Sequence, residues 1–329
     1  MFGTKSGLRK IAISAIAMAL VSSLLTTTPS SAAVSFAATD GFIKQSFSGG
    51  KFVEGFTPGK ADFGFTLEAM LQRAALGESA SSMAPAIAYN LTDSAITGTF
   101  ANPTGYLFDS DGRVKLGMSG KFAFVSAVLK ANNQKLRTGI LNTLRSKIDR
   151  TGDFAPDTNA NTFDRAWVVL ALEANGFPRQ ATSLALRMIG HQLKDGGFND
   201  GYDLGQGSPD GTGIVLQALA AVRNQGTNGQ ARAMESSIAK AVKYLTKTAV
   251  NGQYFESYGD YNMNGTAYAA MGLKSVRANF SKIRTWIVGK LAPDGGLQTP
   301  WSDGAGDTYA TAQGGVALLG KSYLDLVKK

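Results

Sequence analysis

Along most of the chain the apolar residues recur with the period of a helix, about 3.6 residues, and they do so in two distinct ways. In ARAMESSIAKAVKYL the residues Met234, Ile238, Val242 and Leu245 form one stripe, while Arg232, Lys240, Lys243 and Lys247 lie away from it. NQKLRTGILNTLRSKI, PRQATSLALRMIGHQL and FSKIRTWIVGKL follow the same rule. These segments predict a solvent-facing layer of helices. The second kind is apolar or small on nearly every face: AWVVLALEANG, GIVLQALAAVR, TAYAAMGLKSV, TLEAMLQRAALG, KFAFVSAVLKANN and TAQGGVALLGKSYLDLV. A helix that is apolar all round is surrounded by protein. The two kinds alternate, which predicts about six inner helices with five outer ones between them.

A glycine turn marks each passage from outer to inner helix. SDGRVKLG, RTGDFAPD, KDGGFNDG, VNGQYFES and PDGGLQTP place Gly112, Gly152, Gly196, Gly252 and Gly295 at spacings of 40, 44, 56 and 43 residues. That is one supersecondary unit used repeatedly. Glycine reaches the left-handed conformation that ends a helix without a Cβ penalty, and Asp or Asn turns the chain beside it. The apolar residue that follows (Phe154, Phe198, Phe255 or Leu297) is then placed to wedge between the layers. The motif reads as a stop-and-wedge device and not as a catalytic one.

The first residues interrupt this pattern. Lys5, Arg9 and Lys10 precede the apolar run IAISAIAMALVSSLL and the small-residue stretch SSAAVSFAA, the arrangement of a secretory signal with cleavage after Ala33 or Ala37. The run is short for a membrane span, and no second candidate follows, so the expectation is an exported protein with no span in its mature part. Residues 1–37 are assigned to the signal, 38–59 to a glycine-rich arm without periodicity lying on the ring, and 60–329 to one helical domain. Removing the signal takes three of 33 basic residues and none of 24 acidic ones, leaving 30 against 24, a balance of +6. No Lys/Arg run is interleaved with aromatics, so nucleic acid is not expected as a partner.

The Gln192-x-x-Asp195-Gly196-Gly197-Phe198 pattern resembles the Gln-Trp repeat of the prenyltransferase and squalene cyclase superfamily, with Phe198 where that family usually has Trp. APDGGLQTPWSDGAGDTYATAQGGVALLG is a looser copy. ADFGFTLEAMLQRAALG, from Ala61, looks like the opening inner helix of secreted bacterial proteins carrying this repeat. The similarity spans roughly residues 55–329. It implies an all-α fold, an α/α toroid of about five to six inner and outer helix pairs, shared with cobalamin carriers and complement thioester domains.

The chemistries associated with that fold are then tested on the residues. Class II terpene cyclases use an Asp-x-Asp-Asp acid; no such tetrad occurs, and NDGYD and DSDG lack the paired carboxylates. Prenyltransferases and lanthipeptide cyclases bind zinc through Cys and His. The chain has no cysteine and one histidine, His191, which excludes that site, disulfides, and the Cys-Gly-Glu-Gln thioester alike. His191 falls near the end of an outer helix, a surface position. No cofactor is expected. A calcium loop through Asp200, Asp203 and Asp210 matches no EF-hand spacing.

What remains is the rim where the inner helices begin. Asp62 and Thr66, Asp164, Asp210 and Thr212, Asn264 and Thr266, and Asp307 and Thr308 recur there, primarily as N-caps. In a closed ring these starts converge on one concavity, fed by aromatic-rich loops. The candidate ligand-binding residues are Asp164, Trp167, Tyr202, Asp203, Asp210, Tyr258, Asp260, Asn264, Trp301, Asp303, Asp307 and Tyr309. The expected partner is a small molecule, a glycan or a cell-envelope component, bound without catalysis. An alternative is a polysaccharide-active hydrolase or lyase using two carboxylates among Asp203, Asp210, Glu256, Asp260, Asp303 and Asp307. A further alternative is a terpenoid cyclase with an acid of another form.

Overall fold

The computed structural model describes residues 36–97, 105–155, 160–201 and 205–327. The signal pattern up to residue 35, with the cleavage position after Ala33, lies outside the described residues, whereas Ala37 is the first residue of a helix. The six segments that are apolar on nearly every face are helices: α2 Phe63–Ala75, α5 Leu116–Val128, α7 Thr162–Ala174, α9 Pro209–Val222, α11 Met263–Ser275 and α13 Thr308–Leu318. Each packs on the next, and α13 packs back on α2, so the inner layer is a closed ring. Small residues set the spacing. A Cβ on Gly213 of α9 would collide with the Tyr268 carbonyl of α11, and one on Gly120 of α5 would lie 2.9 Å from the backbone of Trp167 on α7.

The amphipathic segments form the outer layer as α6 Gln134–Ser146, α8 Pro178–Ile189, α10 Asn228–Thr248 and α12 Ser281–Val288. On α10 the buried stripe is Met234, Ile238, Ala241 and Leu245, joined by Tyr244; Val242 is only half-buried. Between α2 and α5 the outer position is taken by two short helices, α3 Ala84–Asn90 and α4 Ser94–Thr97. Residues 38–59, which show no periodicity in sequence, contribute α1 Ala37–Gln45 and a two-residue antiparallel hairpin, β1 Phe47–Ser48 with β2 Phe52–Val53. The helix α1 contacts α13 and α2 and so supplies the outer partner of the last inner helix. Its signal is weak because a nine-residue helix buries only Thr39 and Ile43. Among the described residues no helix is long and apolar enough to cross a membrane.

The two Asp-Gly-Gly turns are built alike. Asp195 accepts the Gly197 N–H at 2.8 Å and the Gly207 N–H at 3.1 Å. Asp294 accepts the Gly296 and Gly306 N–H groups, both at 2.9 Å. One carboxylate thus ties the turn to the loop that enters the next inner helix. Gly196 and Gly295 have φ of 93° and 91°, and a Cβ on either would press on the backbone of Lys240 or Ala38. Aromatic rings lie against the paired glycines beyond, Tyr244 on Gly197 and Gly207, Phe42 on Gly296 and Gly306. The Gln192 amide donates to Gly196 O at 2.8 Å and to Ser237 O of α10 at 2.9 Å, joining one outer helix end to the next outer helix. The wedge residues Phe154, Phe198, Phe255 and Leu297 are all buried. Full burial of a side chain such as Phe198 contributes roughly 2 kcal/mol.

Candidate functional site

Among the polar residues of the inner helices are Glu68 and Gln72 in α2, Lys121 in α5, Asp210 and Gln217 in α9, and Asn264 and Tyr268 in α11. Spacings of four or seven residues put the members of each pair on one side of their helix. The Tyr268 hydroxyl donates to Glu68 Oε1 at 2.7 Å, and Lys121 Nζ donates to the same oxygen at 2.6 Å. The Lys121 ammonium also lies 5.0 Å from the centre of the Trp167 ring. Phe163, one turn before Trp167 on α7, meets Tyr268 edge to face at 5.4 Å.

One end of the axis is closed. After α13 the chain turns inward, with Lys321 Nζ donating to Ala75 O at 2.5 Å, and a 3₁₀ turn follows over Tyr323–Leu326. Tyr323 packs 5.2 Å from Trp167 and 6.1 Å from Phe124, and its backbone N–H donates to Gln217 Oε1 at 2.8 Å. At the other end, where the inner helices begin, Phe163, Asp164, Asp210, Asn264 and Tyr309 all keep partial exposure. The axis is therefore closed by Tyr323 at one end and filled by buried side chains along its length, and only at the helix N-termini, where the lining residues keep partial exposure, does it form a recess.

Polar atoms without a protein partner gather in this recess. Among the described residues, Glu68 Oε2, both amide atoms of Gln72, Trp167 Nε1, Asp210 Oδ1, Gln217 Nε2 and Asn264 Oδ1 are buried with no hydrogen bond. A buried group left unpaired costs about 1–3 kcal/mol, so such groups are few in ordinary cores. Elsewhere among the described residues Asn90 Oδ1, Asn133 Oδ1, Arg145 Nε, Glu173 Oε2 and Ser237 Oγ are likewise buried with no hydrogen bond, scattered over several helices.

The capping expectation holds for some rim residues and fails for others. Asp62 and Asp307 are N-caps, accepting the Phe65 N–H at 2.9 Å and the Ala310 N–H at 2.7 Å. Asp164 completes a capping box with Asn161. Ser208 caps α9 by accepting the Gly211 N–H at 3.0 Å, and Asn262 caps α11 by accepting the Gly265 N–H at 2.9 Å. That frees Asp210 and Asn264 from the role assigned to them. Asp210 Oδ1 lies against Gly265 on the neighbouring helix. The residue keeps some exposed surface, yet this oxygen is enclosed. Burial pushes the Asp210 carboxyl up to about 7, and the charges of Asp200 and Glu68 add to the shift, while its own backbone N–H opposes it. Burial also raises Asp164, against the pull of the Asn161 and Gly117 N–H groups.

The other candidates divide by location. Tyr309 stands at the mouth, its ring 4.3 Å from Phe65 and its hydroxyl donating to Glu54 O at 3.1 Å. Trp167 is enclosed in the axis, 1% exposed. Tyr258 and Asp260 sit on a hairpin before α11, β3 Glu256–Ser257 with β4 Asp260–Tyr261, and Trp301 and Asp303 on the loop before α13. Tyr258 and Trp301 project outward, 101% and 73% exposed. Tyr202 and Asp203 lie outside the described residues. No group of three or more His, Cys, Asp or Glu is placed to hold a metal ion among the described residues. His191, at the end of α8, has Nε2 3.7 Å from Asp153. Sequence reasoning missed Glu68, Lys121, Tyr268 and Tyr323. The signal for the first three was a polar residue recurring on one face of an otherwise apolar helix.

No family model matches the chain, and no curated protein matches it by sequence. Solved structures match by shape. A variant of the type II terpene cyclase MstE from Scytonema, in complex with geranylgeranyl dihydroxybenzoate, aligns with a TM-score of 0.61 at 15% identity, over 87% of this chain and 95% of that one. Apo MstE aligns with a TM-score of 0.60 at 15% identity, over 86% of this chain and 96% of that one. Haptocorrin in complex with Cbi aligns with a TM-score of 0.58 at 14% identity, over 88% of this chain and 67% of that one. The fold is the all-α toroid of the terpenoid cyclase and prenyltransferase type.

Proposed function

We propose that this protein binds a small organic molecule in the axial recess, at the inner-helix N-termini, and that it does so outside the cytoplasmic membrane. The observation that supports this is the set of unpartnered buried polar atoms along the axis, walled by Phe163, Trp167 and Tyr268. An aromatic concavity with a few converging polar groups is the usual form of a small-molecule site. Both kinds of structural neighbour are described in complex with a ligand, geranylgeranyl dihydroxybenzoate in one and Cbi in the other. Native mass spectrometry of protein purified from its own source, before and after mild denaturation, tests the reading. A stoichiometric small molecule released on unfolding is expected. A bare chain that also takes up nothing from a broad fragment library counts against it.

A second reading rests on a different observation. Burial favours the protonated form of Asp210 at the inner-helix N-termini, and a protonated carboxyl can act as a general acid. That would make the protein an acid catalyst of the terpenoid cyclase kind without the Asp-x-Asp-Asp tetrad. Incubation with a polyprenyl substrate decides between the readings: product that disappears in Asp210→Asn supports catalysis, and bound, unchanged substrate supports a carrier. The polysaccharide alternative loses Asp307 to capping.

A further inference from the structure

We infer that the mouth of the recess takes a cationic head group, an ammonium or guanidinium on an apolar skeleton, seated between Asp210, Asn264 and Glu68 against the ring of Phe163. This rests on the reading of the recess as a binding site and names the chemistry of its ligand. Three of the unpartnered atoms are acceptors, Asp210 Oδ1 and Asn264 Oδ1 in the first turns of α9 and α11 and Glu68 Oε2 one turn deeper, at the level of the Trp167 Nε1 donor. Glu68 is 1% exposed and holds Lys121 and Tyr268 on its other oxygen, so Oε2 is fixed in place. An ammonium supplies several donors to such a set, whereas a hydroxyl supplies one.

The charges around the site point the same way. Lys121 on α5 is engaged by Glu68 and by the Trp167 face. On α7, Arg165 is held by Asp153 at 2.8 Å and by the carbonyls of Ala160 and Asn161, and Asp164 is anionic when ionised. The charged groups acting on Asp210 are Asp200, in the loop before α9, and Glu68 across the ring on α2, both negative. The polar groups on the neighbouring helices are neutral ones, Asn264 and Tyr268 on α11, Tyr244 on α10 and Tyr309 on α13. A carboxyl in anionic company, buried and without a cation, is the group a cationic ligand would complete. Phe163 and Tyr268 supply ring surface beside it, favourable to a positive charge.

Three probes of one skeleton test this on the full chain: 2-phenylethylamine, 2-phenylethanol and phenylacetate, titrated by calorimetry and NMR. The amine remains a cation at both about pH 8 and about pH 5.5, so any change in its affinity between them reports the protein. Ionised Asp210 attracts the cation, so the amine should bind about ten-fold tighter than the alcohol at the higher pH. Its advantage should shrink several-fold at the lower pH, with phenylacetate weakest at the higher. Asp210→Asn should abolish the amine's advantage over the alcohol, and a wild-type circular dichroism spectrum with cooperative thermal unfolding shows that the variant is folded. An alcohol or phenylacetate that matches the amine at the higher pH overturns the cationic assignment alone. So does an advantage that survives Asp210→Asn. If none of the three binds at up to about 10 mM, the recess is closed to ligands and the binding function falls with the inference.

Discussion

Four inner helices carry threonine at the same place, Thr66, Thr212, Thr266 and Thr311. Each accepts the N–H of the residue that ends the preceding turn: Val53 at 2.9 Å, Phe198 at 2.9 Å, Phe255 at 3.1 Å and Leu297 at 2.8 Å. Two residues earlier on the same helices stand Gly64, Asp210, Asn264 and Tyr309, no two alike. The threonine layer makes the same bond in these four repeats, each of which joins a turn to a helix, while α5 and α7 carry Ser119 and Arg165 at that place. The layer before it faces the axis, where no repeated contact dictates the residue. Positions that repeat serve the ring, and positions that do not are free to serve a ligand.

The largest effect should come from the middle of the axis. Lys121→Met removes the ammonium from Glu68 and leaves a buried carboxylate with only the Tyr268 hydroxyl, a loss of about 3–5 kcal/mol in urea unfolding. Replacing Glu68 by Gln in the same chain should recover much of that loss. If the single variant loses less than about 1 kcal/mol, the pair is not a buried one and the axis is wetter than described.

Asp210→Asn comes next, and its sign depends on pH. Burial pushes the folded carboxyl up to about 7 from its ordinary 3.8, so folding favours the protonated form. Below the lower value both states are protonated and nothing is lost. Between the two the wild type becomes progressively less stable, and above the higher one the full penalty applies. The asparagine variant does not ionise, so it should be more stable than wild type by about 4 kcal/mol at alkaline pH and nearly equal to it near pH 4. Thermal unfolding across that range checks this; a pH-independent difference would mean that Asp210 is already solvated. The neighbouring Asn264→Asp, at the equivalent place on α11, should reverse the sign.

These variants also show how far the sequence could be followed. The alternation of fully apolar and amphipathic helices was legible, and so were the wedge residues, because burial on all sides or on one leaves a direct mark on composition. Ring closure was not legible, since it depends on α13 meeting α2, a contact between segments more than two hundred residues apart. Nor was α1, whose nine residues bury too little to mark a period. At the rim the types Asp, Asn and Thr announced caps, but a cap at Ser208 or two residues later at Asp210 looks alike until the backbone is placed. The axial residues were obscured for the opposite reason. Glu68 and Lys121 sit in separate helices, 53 residues apart, and each alone reads as a stray charge in an apolar segment.

A smaller effect tests the repeated layer directly. Thr311→Val keeps the shape and removes the acceptor for the Leu297 N–H and the donor to Asp307 O. It should cost about 1–2 kcal/mol, and Thr212→Val and Thr266→Val should cost the same within a few tenths. Unequal costs would mean that the repeats are not mechanically equivalent.

The smallest effect belongs to the outer rim, and its smallness is what makes it useful. Trp301 is 73% exposed, so its truncation returns little apolar area to water. Its loop is held without it: Ser302 Oγ accepts the Thr299 N–H at 3.0 Å and donates to Ala305 O at 2.7 Å, and the Ala305 N–H reaches Ser302 O at 2.8 Å. Trp301→Ala should therefore change unfolding free energy by no more than about 0.5 kcal/mol. Trp167→Ala, in the enclosed part of the axis, should cost about 3–5 kcal/mol by the same measurement. Any ligand affinity lost in the Trp301 variant is then a lost contact at the rim and not a consequence of loosening the ring. A large loss of stability in Trp301→Ala would instead show that the loop depends on its tryptophan, and rim and recess would have to be treated as one structural unit.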